Sequence, residues 1–183
     1  MVYIVLGNGF EECEATIPCT VLRRGGVDAR FAGIGGRQIC GARGITISAD
    51  CTVEQIDVRQ TEMIVLPGGL GGVHSIAGCP HLLETVRRVH ACGGYVAAIC
   101  AAPTVLSALG LLEGRRATVY PGMEPELRGA TCEAKPFVTD GRIVTGRAAG
   151  TAFDFALELL RLLRGEQTAN EVRESIVYPG GLR

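Results

Sequence analysis

The sequence predicts an α/β fold in which helices cover a mainly parallel sheet. Short apolar runs rich in β-branched residues alternate along the chain with segments of helical periodicity, the order that parallel crossover units require. The runs ending at Leu6, Leu66 and Ile99 stop at Gly7-Asn8-Gly9, Pro67-Gly68-Gly69 and Cys100-Ala101-Ala102-Pro103, turn chemistry expected where strands give way to helices. At 183 residues, 47 % hydrophobic and 20 % charged, the chain suits one globular domain spanning 1–183 with a core of its own.

Val2 to Leu6 reads as the first strand, followed by a helix over Glu11 to Arg24 whose apolar stripe is Ile17, Pro18, Val21 and Leu22. Ala29 to Ala32 is the second strand. Gly35 to Gly44 is glycine-rich enough for a hairpin or flap. Met63 to Leu66 and Tyr95 to Ile99 are fully apolar strands, separated by a helix from Pro80 to Cys92 with Leu83, Val86 and Val89 on one face. A helix over Pro103 to Leu109 follows. Between Arg115 and Phe137, Pro121, Pro125 and Pro136 predict loops and short edge strands forming an antiparallel extension of the sheet. Ile143 to Thr145 closes the strand set. The next helix runs from Thr151 to Leu163, with Thr151 and Asp154 as its capping pair, and a short closing helix is expected near Ala169 to Glu174.

A net charge of -1 provides no long-range field for nucleic acid or an anionic membrane. The opening MVYIVLGNGF lacks the basic start and cleavage site of a secretory signal, and no apolar run reaches spanning length, so a cytoplasmic protein is expected. Eight scattered cysteines without CxxC spacing read as free thiols, and His74, His81 and His90 do not combine with them at zinc-ligand spacing, so no metal is expected.

In a parallel sheet the carboxyl ends of the strands converge on one edge, the usual place for a site. Ala98-Ile99-Cys100-Ala101-Ala102 has the small neighbours of a nucleophile elbow, which would expose Cys100 at a strand-to-helix turn. Helix amides there favour a thiolate; the alternative is a buried structural cysteine. Glu14 shares the apolar stripe of its helix and is expected to face inward, where a desolvated carboxyl stays protonated and can donate to a thiolate. A glutamate complementing the helix dipole is the other reading. Glu12 lies on the side of Thr16, Cys19 and Arg23 and is expected to be solvated. The Gly69 and Ala101 amides are candidates for stabilising an oxyanion, with Gly68 allowing close backbone approach, although two glycines also make an ordinary tight turn. Arg43 and Arg147 are candidates for an anion-accepting mouth. Gly7-Asn8-Gly9 with Asp28 resembles part of a dinucleotide fingerprint, but Glu12 occupies its third glycine position and would repel a pyrophosphate, so no organic cofactor is expected.

With Glu11-Glu12-Cys13-Glu14, Ile17-Pro18, Leu66-Pro67-Gly68-Gly69, Ala98 to Pro103 and Gly150-Thr151 in this order, the chain resembles the ThiJ/PfpI superfamily over essentially its whole length, and within it the deglycase branch. The resemblance implies a flavodoxin-like three-layer sandwich, a homodimer with the first helix, including Arg23 and Arg24, at the contact, and Cys100 as nucleophile beside a protonated Glu14. It also implies activity toward small aldehydes or dicarbonyls such as methylglyoxal, or toward their early glycation adducts, or else a redox-sensing or chaperone role through oxidation of Cys100. Ala101 stands where the peptidase-like branch has a histidine, and Tyr120 where some deglycase relatives have one. A tyrosine, with a reference pKa of about 10, is a poor base at neutral pH.

Overall fold

The computed structural model describes residues 1–179. Strand β1 (Val2–Leu6) leads through helix α1 (Glu12–Arg24) to β2 (Ala29–Gly33). A hairpin of β3 (Gln38–Cys40) and β4 (Thr46–Ser48) follows, then β5 (Cys51–Thr52) and β6 (Met63–Leu66). Helices α2 (Leu70–Ala77) and α3 (Pro80–Ala91) precede β7 (Tyr95–Ile99) and α4 (Pro103–Ala108). The chain then forms β8 (Arg116–Ala117), β9 (Thr131–Cys132), β10 (Phe137–Asp140) and β11 (Ile143–Gly146) before helix α5 (Ala152–Ser175).

The main sheet has the order β10-β11-β7-β6-β1-β2-β5, and every pairing in it is parallel except β10 with β11. Because side chains alternate along a strand, Ile4, Leu6, Val65 and Ile99 join α1 and α5 in one core, while Val5, Ile64, Leu66 and Ala98 join α2, α3 and α4 in the other. This is the expected three-layer α/β sandwich. Strand order reverses between β1 and β6, so the loops after Leu6 and Leu66 flank the crevice where ligands of such sheets bind.

Several local expectations are corrected. Helix α2 escapes the sequence pattern because its Gly71 and Gly72 are poor helix formers; a Cβ on Gly72 would lie 2.8 Å from Phe10 Cα, so close packing on the 7–10 loop dictates glycine. The antiparallel extension is β10 alone, since β8 and β9 pair in parallel in a separate sheet. Of the expected hairpin or flap at 35–44, the structure forms a hairpin, whose pairing extends to residue 48. On α3 the buried stripe runs through Leu82, Val86 and Val89, with Leu83 only partly covered. Thr151 does not cap α5: its Oγ1 donates to Ala148 O at 2.9 Å and accepts from Ala148 N at 3.2 Å. The closing helix continues α5 beyond a non-helical Gly165. Within α5, the nearly buried Glu158 accepts from Thr139 Oγ1 at 2.7 Å and from Arg161 at 2.7 and 2.9 Å, pinning the edge strand β10 to the helix.

Phe155 on α5 is fully buried against the sheet, and a Cβ on Gly146 would lie 2.9 Å from its ring. Phe155→Ala is expected to cost about 3–5 kcal/mol through lost burial and the cavity left behind. Urea denaturation measures this, and a cost below about 1 kcal/mol contradicts the assigned packing.

Candidate active site

The β7 ladder extends one bond past Ile99, with Cys100 N donating to Gly146 O at 3.0 Å. The backbone then turns sharply. Cys100 has φ 65, the left-handed region, which costs a side-chain-bearing residue roughly 1–3 kcal/mol and recurs where a side chain must be presented to a ligand. Ala101 and Ala102 are buried, and their small side chains let α4 begin at once. The Cys100 carbonyl, turned out of the ladder, accepts the Tyr120 N–H at 2.9 Å. That bond ties the Tyr120 backbone to the elbow, and Tyr120 and Cys100 line the same cleft.

Glu14 points inward from the first turn of α1 and is fully buried. Its Oε2 accepts the Gly68 N–H at 2.8 Å, whereas Oε1 has no conventional partner and the carboxyl instead interacts with the Cys100 thiol. Gly68 makes this meeting possible. A Cβ there would sit 2.5 Å from Glu14 Oε2 and 2.7 Å from Cys100 Cβ. Gly69, at φ 81, is held against the backbone of residues 9–11, and its amide and that of Ala101 both act on the Cys100 sulfur.

Burial dominates the protonation of the pair. It pushes Glu14 up to about 7, against opposing hydrogen bonds from Cys100 and Gly68. Burial also raises the Cys100 thiol, to about 12, reinforced by the Glu14 charge and opposed by the Ala101 and Gly69 amides. The expected Cys100 thiolate, favoured by helix amides together with a protonated Glu14, therefore depends on Glu14 holding the proton, because desolvation and a charged Glu14 outweigh the amides. When Glu14 keeps the proton instead, both of its upward contributions vanish and its O–H can face the sulfur. The site is one in which carboxyl and thiol compete for protons.

A cavity of about 800 Å³ opens above the pair, lined by Cys100, Glu14, Gly69, Ala101, Tyr120 and Arg43 among others. Arg147 is not in this wall; its N–H donates to Pro136 O at 3.0 Å, on the side where β10 begins. Gly68 lies beneath the floor as a spacer. The cleft residues Leu70 and Met123 carried no individual signal in the sequence.

Glu12 is buried, contrary to the expectation of a solvated side chain. Its Oε1 accepts the N–H of Arg43 at 2.7 Å and of Ile45 at 3.4 Å, tying the hairpin turn to α1. Asn8 Oδ1 accepts the Cys40 N–H at 3.0 Å and Gly9 N donates to Cys40 O at 2.8 Å, so the hairpin occupies the space over the Gly7-Asn8-Gly9 turn. Asp28 is exposed and pairs with Arg30 at 2.8 and 2.9 Å. Among the described residues, all eight cysteines are free, no three His, Cys, Asp or Glu side chains gather as a metal site, and no helix is long and apolar enough to cross a membrane.

The raised Glu14 carboxyl has a stability signature. Between about pH 4.5 and 7 the folded chain binds more protons at Glu14 than the unfolded chain, so its stability falls as pH rises through that window. Glu14→Gln removes this dependence while preserving an acceptor for Gly68. Relative to wild type, the variant is expected to gain on the order of 2–3 kcal/mol between pH 5 and pH 8.5. Denaturant titrations at the two pH values check the sign, and a constant difference between the proteins contradicts it. The same substitution removes a negative charge from the thiol, so iodoacetamide alkylation of Cys100 should titrate at lower pH in the variant.

Comparisons with known proteins agree with this architecture. The DJ-1/PfpI family pattern matches residues 1–162. Drosophila melanogaster dj-1beta is 36 % identical over 177 residues, covering 95 % of each chain. A Caenorhabditis elegans protein named glutathione-independent glyoxalase is 31 % identical over 164 residues, covering 88 % of this chain and 87 % of its own. The crystal structure of a DJ-1 superfamily protein from Salmonella typhimurium, a Cys-to-Ala mutant, superposes with a TM-score of 0.92 at 33 % identity, covering 98 % of both chains. The motif resemblance, the sheet order and these matches agree: the chain belongs to the DJ-1/PfpI family.

Proposed function

We propose that this protein is a cofactor-independent, cysteine-dependent glyoxalase of small dicarbonyls such as methylglyoxal. The observation that carries the reading is the buried Glu14 carboxyl, pushed up to about 7 and set against Cys100 at the base of an open cavity. The glyoxalase name of the 31 % identical nematode relative favours the same chemistry.

Cys100 Sγ, having passed its proton to Glu14, bonds to the aldehyde carbon. The carbonyl π pair moves to oxygen, where the Gly69 and Ala101 amides offset the charge until Glu14 returns the proton. Glu14 carboxylate then takes the C–H proton of this hemithioacetal, and reprotonation at the neighbouring carbon gives a 2-hydroxy thioester. Water cleaves the thioester to a hydroxy acid and restores the thiol. One carbon is oxidised and its neighbour reduced, so no external oxidant enters. Deglycation of early adducts follows from the same chemistry acting on free dicarbonyl released by equilibrium. Eight free thiols suit a reducing, cytosolic compartment.

A second reading, a redox sensor or redox-regulated chaperone, is favoured by the raised Glu14 carboxyl, which faces Cys100 and whose O–H would stabilise an oxidised sulfur by hydrogen bonding. Here peroxide transfers one oxygen to the Cys100 sulfur and leaves as water. Homodimerisation also belongs to the proposal, through a groove of Thr16, Ile17, Thr20, Val21, Arg24, Phe153 and Ile176. Arg23 is committed within its own chain to Ala29 O at 2.7 Å and Asp50 at 3.0 Å, so Arg24 is the better contact. Light scattering at micromolar concentration should give twice the chain mass, and a monomeric mass rejects the dimer.

Purified protein should convert methylglyoxal to lactate, with Cys100→Ala reducing kcat/KM at least a hundredfold and Glu14→Gln impairing proton transfer. The wild-type kcat/KM should rise with pH through about 7 as the thiol and carboxyl together lose one proton, then reach a plateau. No turnover above the Cys100→Ala background, with selective peroxide oxidation of Cys100 by peptide mass analysis, decides for the sensor.

A further inference from the structure

The cavity above Cys100 is much larger than a three-carbon dicarbonyl fills. Its volume of about 800 Å³ lies toward the upper end of the roughly 300–1,000 Å³ found for sites that hold drug-sized ligands. Leu70, Tyr120, Pro121 and Met123 form an apolar part of its lining. Leu70 is 75 % exposed and Tyr120 48 %, so large apolar surfaces at the mouth remain in water until a ligand covers them.

Two backbone links tie this lining to the reacting centre. Leu70 directly follows Gly69, whose amide acts on the Cys100 sulfur. Tyr120 is held by its N–H bond to the Cys100 carbonyl at 2.9 Å. A substrate whose aldehyde carbon meets Sγ and whose oxygen meets the Gly69 amide therefore has Leu70 and Tyr120 within the same enclosure. Arg43 lies in the cavity lining as well, but its side chain is exposed and only its backbone is fixed, through Glu12, so it does not present a rigid anion site.

We propose that the cleft selects 2-oxoaldehydes carrying an apolar aryl or branched alkyl group, with that group covered by Leu70, Tyr120 and Met123 while Cys100 attacks the aldehyde carbon. This deepens the glyoxalase reading and rests on it. The bond changes are those given above, and the added group takes no part in them. What it contributes is apolar contact, and differences of even one methylene in such contacts change kcat/KM by roughly 10–200-fold.

The test compares phenylglyoxal with methylglyoxal in wild type, the Leu70→Ser/Met123→Ser double variant and Arg43→Gln, scoring the ratio of kcat/KM values so that changes between proteins are independent of intrinsic reagent reactivity. A parallel measurement scores alkylation of Cys100 by N-benzyl iodoacetamide relative to iodoacetamide, by peptide mass analysis. Both ratios should fall at least tenfold in the double variant and stay within twofold in Arg43→Gln. Thermal melting and the alkylation rate with iodoacetamide report whether the double variant remains folded. Turnover of both dicarbonyls with ratios untouched by the double variant overturns the apolar subsite and leaves the glyoxalase reading standing. A preference lost in Arg43→Gln assigns selectivity to charge and also overturns it. No turnover of either dicarbonyl, with the alkylation preference intact, rejects the glyoxalase reading and this substrate class with it, leaving only an apolar subsite.

Discussion

The contact between Glu14 and Cys100 across Gly68 is the constraint around which the site is organised. A carboxyl at zero exposure needs compensation, and the Gly68 N–H at 2.8 Å satisfies only one of its oxygens. The other side of the balance is the thiol. Each group is raised by the same desolvation, so neither readily loses its proton alone, and a single proton shared between them defines the reactive arrangement. That arrangement needs three chain segments to meet: the first turn of α1, the turn after β6 and the turn after β7. A parallel sheet supplies this convergence, because it brings the carboxyl ends of β1, β6 and β7 to one edge.

Around this centre the hairpin acts as a fixed wall. Glu12 holds the turn from α1, Asn8 holds Cys40, and Ala42 N donates to Phe10 O at 2.8 Å. The bonds run from the same short segment that precedes Glu14, so the wall and the carboxyl are positioned together. Glu12 is also what replaces the third glycine of a dinucleotide fingerprint. Its buried Oε1 is committed to the hairpin, accepting from the main-chain amides of Arg43 and Ile45.

The elements with strong local signals were legible in the sequence. β1, β6 and β7 are uninterrupted apolar runs, and the inward face of Glu14 follows from its spacing to Pro18, Val21 and Leu22. The elbow at Cys100 was legible because small residues surround it. What could not be read depends on contacts distant in the chain. Helix α2 has glycines where another element approaches, which erases its propensity signal. Glu12 looks like a surface glutamate until a turn some thirty residues later is seen to need its oxygen. The ionisation of Cys100 was only partly legible, because helix amides and the inward face of Glu14 are local features, whereas the depth of the thiol arises only from the folded assembly. The apolar cleft wall was illegible for the same reason, since Leu70 and Met123 lie far apart in sequence.

The link from Tyr120 to the elbow has an evolutionary consequence. Because the bond to the Cys100 carbonyl is made by the main chain, any residue other than proline could occupy this place and still brace the strained turn. The fold thus separates the job of supporting the sulfur from the choice of group displayed next to it. A lineage can exchange the side chain displayed there while the scaffold beneath keeps its shape.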